Sequence, residues 1–325
     1  MAAMQAQDYP GAKWSLGLRL LNNTDGDIER AISGKTILRT WLLRGTLHFV
    51  AAQDIHWMLA LVAPRIIRGN SRRYRELELD ERSLTRSTGL LVKALQGNRQ
   101  LTRKALFSIL EQNGVSTKGQ RGIYMLQRAS LDGFICQGTM HSNDPSFMSL
   151  DEIPSLVMNH DIALAELALR YFTTRSPASI QDFTWWSGLA AGEARTALES
   201  VQSKLLSEKR DDKVYWRSPS FHPAVEKSQV VLLLPGFDEF LLSYKDRSGS
   251  MDFPNYRRAT PTNGILPPTI NINGHVIGVW KRIIKKDTVR IELYPFEPLS
   301  SKEREIVATE AKRFGEFLGL SVVLA

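Results

Sequence analysis

Three times along this chain of 325 residues, helical patterns are followed by a short β-rich stretch, and this recurrence constrains the fold more than any single motif. In the first segment a helix is expected from Asp25 to Ile32, stopping at Gly34. Strands then read over Thr36 to Trp41 and Thr46 to Val50, about Arg44-Gly45. A helix from Asp54 to Val62 follows, capped by the aspartate and ended by Pro64. In the second segment Thr102 is the N-cap of a helix carrying Leu106, Ile109 and Leu110 on one face and closed by Gly114. A further helix spans Gln120 to Leu131, and after Gly133 the run Phe134 to Gln137 reads as a strand.

The third segment is the clearest. It has a helix from Ala163 to Phe172, another opened by Ser179-Ile180-Gln181-Asp182-Phe183, a Gly188 turn, and a helix to Leu206. Ala194, Ala197, Leu198, Val201 and Leu205 form the stripe of a core-facing helix, and Val214-Tyr215-Trp216 supplies a closing strand. Helices closed by a small β wing are the pattern of winged helix-turn-helix units. After Pro219 the texture changes. Val230 to Leu234 is an apolar run suited to a buried strand, and Ile270 to Ile272 and His275 to Ile284 flank the hairpin signal Asn273-Gly274. A strand over Val289 to Tyr294, a helix from Lys302 to Leu318 and a strand over Ser321 to Leu324 complete the chain. The expected class is α+β, with three tandem winged units over 1–95 (including a basic helical connector), 96–150 and 151–220. A β-rich α/β unit over 221–325 follows, its boundary falling near 219–228.

A net charge of +8 and a pI of about 9.6 favour a polyanionic partner such as nucleic acid. Cys136 is the only cysteine, which excludes an intrachain disulfide framework and a cysteine-rich zinc site. The start of the chain lacks a charged segment followed by an apolar one, and no apolar run reaches the roughly 18 residues that span a bilayer. A soluble cytoplasmic protein without membrane association is expected. Ser33-Gly34-Lys35-Thr36 imitates the end of a phosphate-binding loop, but Glu29 occupies the position of the first glycine. The six histidines show no metal-ligand spacing, and there is no G-x-S-x-G elbow. Neither a metal nor another cofactor is expected.

Among polar residues, Arg65, Arg68, Arg72, Arg73 and Arg75 concentrate charge just after a helix. They suit phosphate contacts, or form a solvated helix end paired with Glu76, Glu78 and Asp80. Trp185-Trp186 has the chemistry to stack on bases, although adjacent tryptophans at a helix end more often sit in a core. Glu193 and Glu199 on the last helix of the third unit repel phosphate, so that helix reads as scaffold. Asp238 either faces a cleft, where it would stabilise a cation, or caps a helix from Phe237 to Tyr244. His48 either shares a strand face with Thr46 beside the same cleft or is a core histidine. Near the start, Gln5-Ala6-Gln7 in an extended segment places both amides on one face, where together they can hold one water. Solvated amides are the other reading.

Four stretches in this order resemble the superfamily of winged-helix proteins that includes the AlkZ and YcaQ DNA glycosylases. They are Gln5-Ala6-Gln7-Asp8-Tyr9-Pro10-Gly11-Ala12, the run from Arg39 to His48 with Arg44-Gly45 at its centre, the turn from Asp182 to Leu189, and the segment from Pro235 to Arg247. The resemblance covers nearly the whole chain and implies a curved scaffold of three tandem winged units, the first of them N-terminally shortened. It implies monofunctional hydrolysis of the N-glycosidic bond of N7-alkylated purines, with interstrand crosslinks as substrates in some members. The family's motif, glutamine, an apolar residue, then glutamine or aspartate, falls on Gln5 and Gln7.

The partner expected is damaged double-stranded DNA, met by a monomer in the bacterial nucleoid. Arg44, Arg65, Arg68, Arg72 and Arg73 would contact it, and so would Lys281 and Arg282 beyond the Asn273-Gly274 hairpin. The alternative is a winged-helix DNA-binding protein or transcriptional regulator without catalysis.

Overall fold

The computed structural model describes residues 1–325 except 155, 223–228 and 260–264. Along the chain, β1 (Ala3–Gln5), α1 (Tyr9–Gly17) and α2 (Asp25–Ser33) precede a hairpin of β2 (Ile37–Leu42) and β3 (Thr46–Ala51). Next come α3 (Ile55–Gly69), α4 (Ser71–Glu76), α5 (Glu81–Leu95), β4 (Leu101–Thr102), α6 (Arg103–Gln112) and α7 (Arg121–Leu131). A second hairpin, β5 (Ile135–His141) and β6 (Asp144–Ser149), follows. Then α8 (His160–Thr174), β7 (Ala178–Ser179), α9 (Ile180–Ser187) and α10 (Ala191–Glu199) lead to β8 (Leu206–Arg210) and β9 (Lys213–Arg217). The rest comprises β10 (Val231–Leu234), α11 (Glu239–Leu242), α12 (Phe253–Ala259), β11 (Thr269–Ile272), β12 (His275–Ile284), β13 (Thr288–Pro295), α13 (Ser301–Leu318) and β14 (Ser321–Leu324). The fold is mixed α/β with three sheets among the described residues. The junction expected near 219–228 lies partly outside the described residues.

The chain divides into two compact units. The first holds Met1–Ala3, Ala31–Thr174 and Ser187–Ser203. Its sheet holds the order β3-β2-β5-β6-β4, so two antiparallel hairpins lie side by side through β2 and β5. At that seam Arg39 faces Gln137, and its Nη1 donates to the amide oxygen at 2.7 Å. Gly45 takes φ +79 in the β2–β3 turn, a conformation that costs a residue with a side chain. Trp57, Met58, Leu106, Met125, Leu126 and Phe147 are buried beneath the helices, each contributing roughly 1.5–3 kcal/mol by leaving water.

Two expectations are corrected in this unit. Pro64 does not end its helix, because α3 continues to Gly69. Pro64 is exposed and interrupts only its own backbone donor, while the buried face from Ile55 to Ala63 keeps the helix seated. The helix expected to reach Leu206 stops at Glu199, where the Ser200 hydroxyl donates to the Ala197 carbonyl and competes with helical continuation. Val201 and Leu205 are still buried, reached through a 3-10 turn instead of a helix face.

The second unit holds Met4–Arg30, Arg175–Trp186 and Lys204–Ala325. Its larger sheet runs β10-β11-β12-β13-β14, antiparallel except for the final parallel pair, and a small sheet runs β7-β9-β8. Asn273 and Gly274 take φ 51 and 86, the paired positive values of a tight hairpin turn. Helix α1 has no counterpart among the sequence expectations. Pro10 stands in its first turn, where a missing donor is harmless, and the helix is buried nearly all round, which erases any amphipathic period. Its Trp14 packs on Phe314 and Phe317 of α13 at 5.0 and 5.1 Å between ring centroids, and the indole donates to the Leu233 carbonyl at 2.7 Å. Lys13, also buried on α1, is neutralised by Asp25 at 2.7 Å and Glu29 at 2.6 Å on α2. A helix seated this firmly fixes the residues just before it.

Candidate active site

Those residues are Gln5 to Asp8. Gln5 closes β1, Ala6 is fully buried, and Gln7 is exposed. Gln5 itself is only 7% exposed, so the pair straddles the edge between core and solvent. The Gln5 side-chain nitrogen donates to the Gln7 side-chain oxygen at 2.5 Å, which makes the two amides one hydrogen-bonded group facing the same way. This agrees with alternation in an extended segment, with Ala6 turned inward.

Both flanks of the segment are tied down. On one side the Gln5 backbone N–H donates to Glu239 Oε1 at 2.8 Å. On the other, Asp8 accepts from Arg282 Nη2 on β12 at 2.8 and 3.1 Å. Gly11 makes this possible, since a Cβ there would lie 2.3 Å from an Asp8 carboxylate oxygen. The sequence Asp8-Tyr9-Pro10-Gly11 thus has a mechanical meaning: a residue to be anchored, a helix start, and a gap that admits the anchor.

Glu239 is 4% exposed and belongs to α11. Its Oε2 accepts from Arg175 Nη2 at 2.8 Å, the Trp186 indole at 2.9 Å and the Ser243 hydroxyl at 2.8 Å. Arg175 also lies over the Trp186 ring, 4.4 Å from its centroid, and donates to Ser243 at 2.6 Å. Removing one partner of a buried ion pair typically costs about 3–5 kcal/mol, so this arrangement is stiff. Neighbouring Asp238, 3% exposed, caps α11 by accepting from the Phe240 N–H at 2.7 Å. The cation it faces is Arg19, in the turn just past the end of α1, at 2.8 and 2.9 Å, with Ser15 as a further donor. That carboxylate raises the pKa of Arg19 against the opposing effect of burial.

Of the residues singled out by sequence, Gln5, Gln7, Asp238, Lys281 and Arg282 fall in the second unit, and Arg44, His48, Arg65, Arg68, Arg72 and Arg73 in the first. His48 is buried, with Nδ1 2.8 Å from the Thr46 carbonyl oxygen. Arg44 is half-buried at the β2–β3 turn. Arg65, Arg68, Arg72 and Arg75 are exposed along the end of α3 and α4. Arg72 and Arg73 each reach Glu76 at 2.9 Å and lower its pKa, and Arg73 also donates to Gln120. Trp186 is a core residue, whereas Trp185 is 42% exposed beside Arg247.

Lys281 and Arg282 do not adjoin the Asn273-Gly274 turn. They lie toward the other end of β12, opposite Glu292 and Ile291 of β13. Lys281 is exposed, 5.2 Å from the Tyr294 ring centroid, and Arg282 is engaged with Asp8. At the tip of this β12–β13 hairpin Ile283, Ile284, Lys285 and Lys286 are all exposed. Glu239 stands out in sequence only as a neighbour of Asp238, and its pairings with Gln5 and Arg175 could not be read there, because partners far apart in the chain leave no local pattern.

The chemistry open to this site is narrow. The Cys136 thiol is buried, which pushes its pKa up to about 12, so it supplies no nucleophile at neutral pH. Among the described residues no group of three or more His, Cys, Asp or Glu side chains converges to hold a metal ion, and no helix is long and apolar enough to cross a membrane. Two neutral amides on a rigid backbone orient a small polar molecule through donors and acceptors without transferring a proton.

A family model described as DNA glycosylase AlkZ-like matches residues 1–317. The chain is 22% identical to an interstrand DNA cross-link repair glycosylase of Streptomyces sahachiroi over 344 aligned residues, covering 99% of this chain and 90% of that protein. A solved structure, the DNA glycosylase AlkZ of the same organism, has the same fold with a TM-score of 0.78 at 21% identity. That match covers 99% of this chain and 91% of the other.

Proposed function

This chain belongs to the AlkZ-like DNA glycosylase family, and we propose that it hydrolyses the N-glycosidic bond of cationic, N7-alkylated purines in duplex DNA, with Gln5 and Gln7 holding the attacking water. The observation that carries the reading is the hydrogen-bonded Gln5–Gln7 pair at the edge between core and solvent. A purine alkylated at N7 already bears positive charge. When the bond from its N9 to the sugar C1′ breaks, the electron pair passes to the base and neutralises it, so the leaving group needs no proton. The oxygen of the held water then bonds to C1′ as oxocarbenium character develops, and the proton it sheds passes to solvent. The products are the free alkylated base and an abasic site.

Amide groups suit this task because they are neutral across the physiological range. An amide oxygen carries two lone pairs, so accepting from Gln5 does not by itself exhaust Gln7 Oε1 for a water hydrogen. The gain comes from holding water and sugar in a reactive geometry, assisted by carbonyl dipoles directed at the developing positive charge. The exposed position of Gln7 favours a base that remains near the duplex over one swung into a deep pocket. Interstrand crosslinks, named for the Streptomyces relative, are bases of that kind and are included among the proposed substrates.

DNA contact is assigned to the three helix-and-hairpin segments over 1–95, 96–150 and 151–220 as tandem winged units, together with the 221–325 unit. The exposed arginines of α3 and α4, with Arg44 at its turn, would meet phosphates. Lys281 with the tip of the β12–β13 hairpin would supply further contacts, and Arg282 would act through Asp8. The enzyme is assigned as a monomer working on damaged duplex at the bacterial nucleoid in the cytoplasm. Incubation with a duplex bearing N7-methylguanine should release the free base well above the spontaneous rate. Release at the spontaneous rate would remove the substrate assignment.

A further inference from the structure

Glu239 is buried, charged and bonded to the backbone of the residue assigned to water binding, yet no step of the hydrolysis uses it. We propose that Glu239 is a positioning residue for glycosidic hydrolysis, its carboxylate fixing the backbone of Gln5 so that the amide pair meets the water in one orientation. The proposal rests on the assignment of Gln5 and Gln7.

The two carboxylate oxygens divide the labour. Oε2 accepts from the side chains of Arg175, Trp186 and Ser243. Oε1 is directed at the Gln5 N–H. An ion pair built only to hold α11 in place has no use for a bond to a residue 234 positions away, one atom from the Cα that bears a catalytic side chain. A carboxylate accepts a backbone N–H more strongly than a neutral carbonyl does, and its plane is set here by a guanidinium, an indole and a hydroxyl. Glutamine in place of Glu239 has nearly the same shape but only one acceptor oxygen. Its amide nitrogen would face either Gln5 N–H or the three donors, placing donor against donor at one end.

Glu239→Gln therefore tests the clamp with little change in volume. Single-turnover excision of N7-methylguanine from a duplex should slow by about ten- to a hundredfold, since small misplacements of a catalytic group have effects of that size. Affinity for the same duplex should stay within about twofold, and hydrogen exchange at the Gln5 backbone amide should accelerate. A purely structural role would weaken binding and excision together, and that result overturns the proposal, as does excision at the wild-type rate. If Glu239→Gln fails to unfold cooperatively, Ser243→Ala removes one donor while keeping the ion pair. Excision slowed several-fold with unchanged binding supports the clamp, and an unchanged rate overturns it. Gln5→Ala run in parallel separates the clamp from the site. A slow Gln5→Ala beside a fast Glu239→Gln sinks the clamp alone, whereas a fast Gln5→Ala sinks the site and the clamp with it.

Discussion

Arg282 and Asp8, 274 positions apart in sequence, are joined by one guanidinium nitrogen that reaches both carboxylate oxygens, at 2.8 and 3.1 Å. The bond anchors the residue just after Gln7 to a strand of the five-stranded sheet. Gly11 is its silent partner, because any side chain there would occupy the space of the Asp8 carboxylate.

Gly11→Ala should therefore act as a lesion of the anchor. Excision should slow by about tenfold or more while duplex affinity changes little, since the amide pair is then fixed on one flank only. Arg282→Gln should behave in the same way. A large fall in affinity with an unchanged rate constant for Arg282→Gln would show instead that this arginine meets a phosphate.

The hairpin tip makes a different prediction. Lys285 and Lys286 are exposed beside Ile283 and Ile284, so Lys285→Glu with Lys286→Glu should weaken duplex binding by roughly tenfold or more at low salt. The dependence of log affinity on log salt should flatten by about 0.9 for each phosphate that the variant no longer neutralises. Binding isotherms across a salt series check both numbers, and an unaltered slope would take this hairpin out of the DNA interface.

Glu310 on α13 predicts a pH dependence of stability. Burial raises its pKa to about 7 from an ordinary 4.5, opposed by Arg313 at 3.5 Å and by the Leu233 backbone. The folded state thus favours the neutral acid. Its contribution is fully present below pH 4.5 and is lost as pH rises through 7, on the order of 3 kcal/mol in all. Glu310→Gln should match the wild type in Tm near pH 4.5 and exceed it by several degrees at pH 8. Parallel melting curves over this range are the check, and a constant difference would contradict the assignment.

Much of this architecture was legible because it is local. The Asn273-Gly274 turn, the Thr102 cap, the Asp238 cap and the helix of Ser301–Leu318 each depend on residues within a few positions of one another. Helix α1 was not legible, since burial on nearly every side removes the apolar period, and Lys13 on it is buried against two carboxylates from the next helix. The end of α10 was misjudged for a related reason: Val201 and Leu205 keep a helical spacing in sequence while the chain reaches the core by a turn. At the candidate site, the spacing of Gln5 and Gln7 carried the idea of a shared face. The supports, Glu239 with Arg175 and Arg282 with Asp8, depend on tertiary pairings that no window of sequence contains.

The most direct measurement is single-turnover excision of N7-methylguanine by Gln5→Ala, Gln7→Ala and the double variant, each with its duplex affinity measured alongside. If the two amides hold one water, each single change should slow excision by about a hundredfold with affinity nearly unchanged. The double variant should then be little slower than the worse single one, because groups acting as a unit fail together. Excision at the wild-type rate in both single variants would contradict the account.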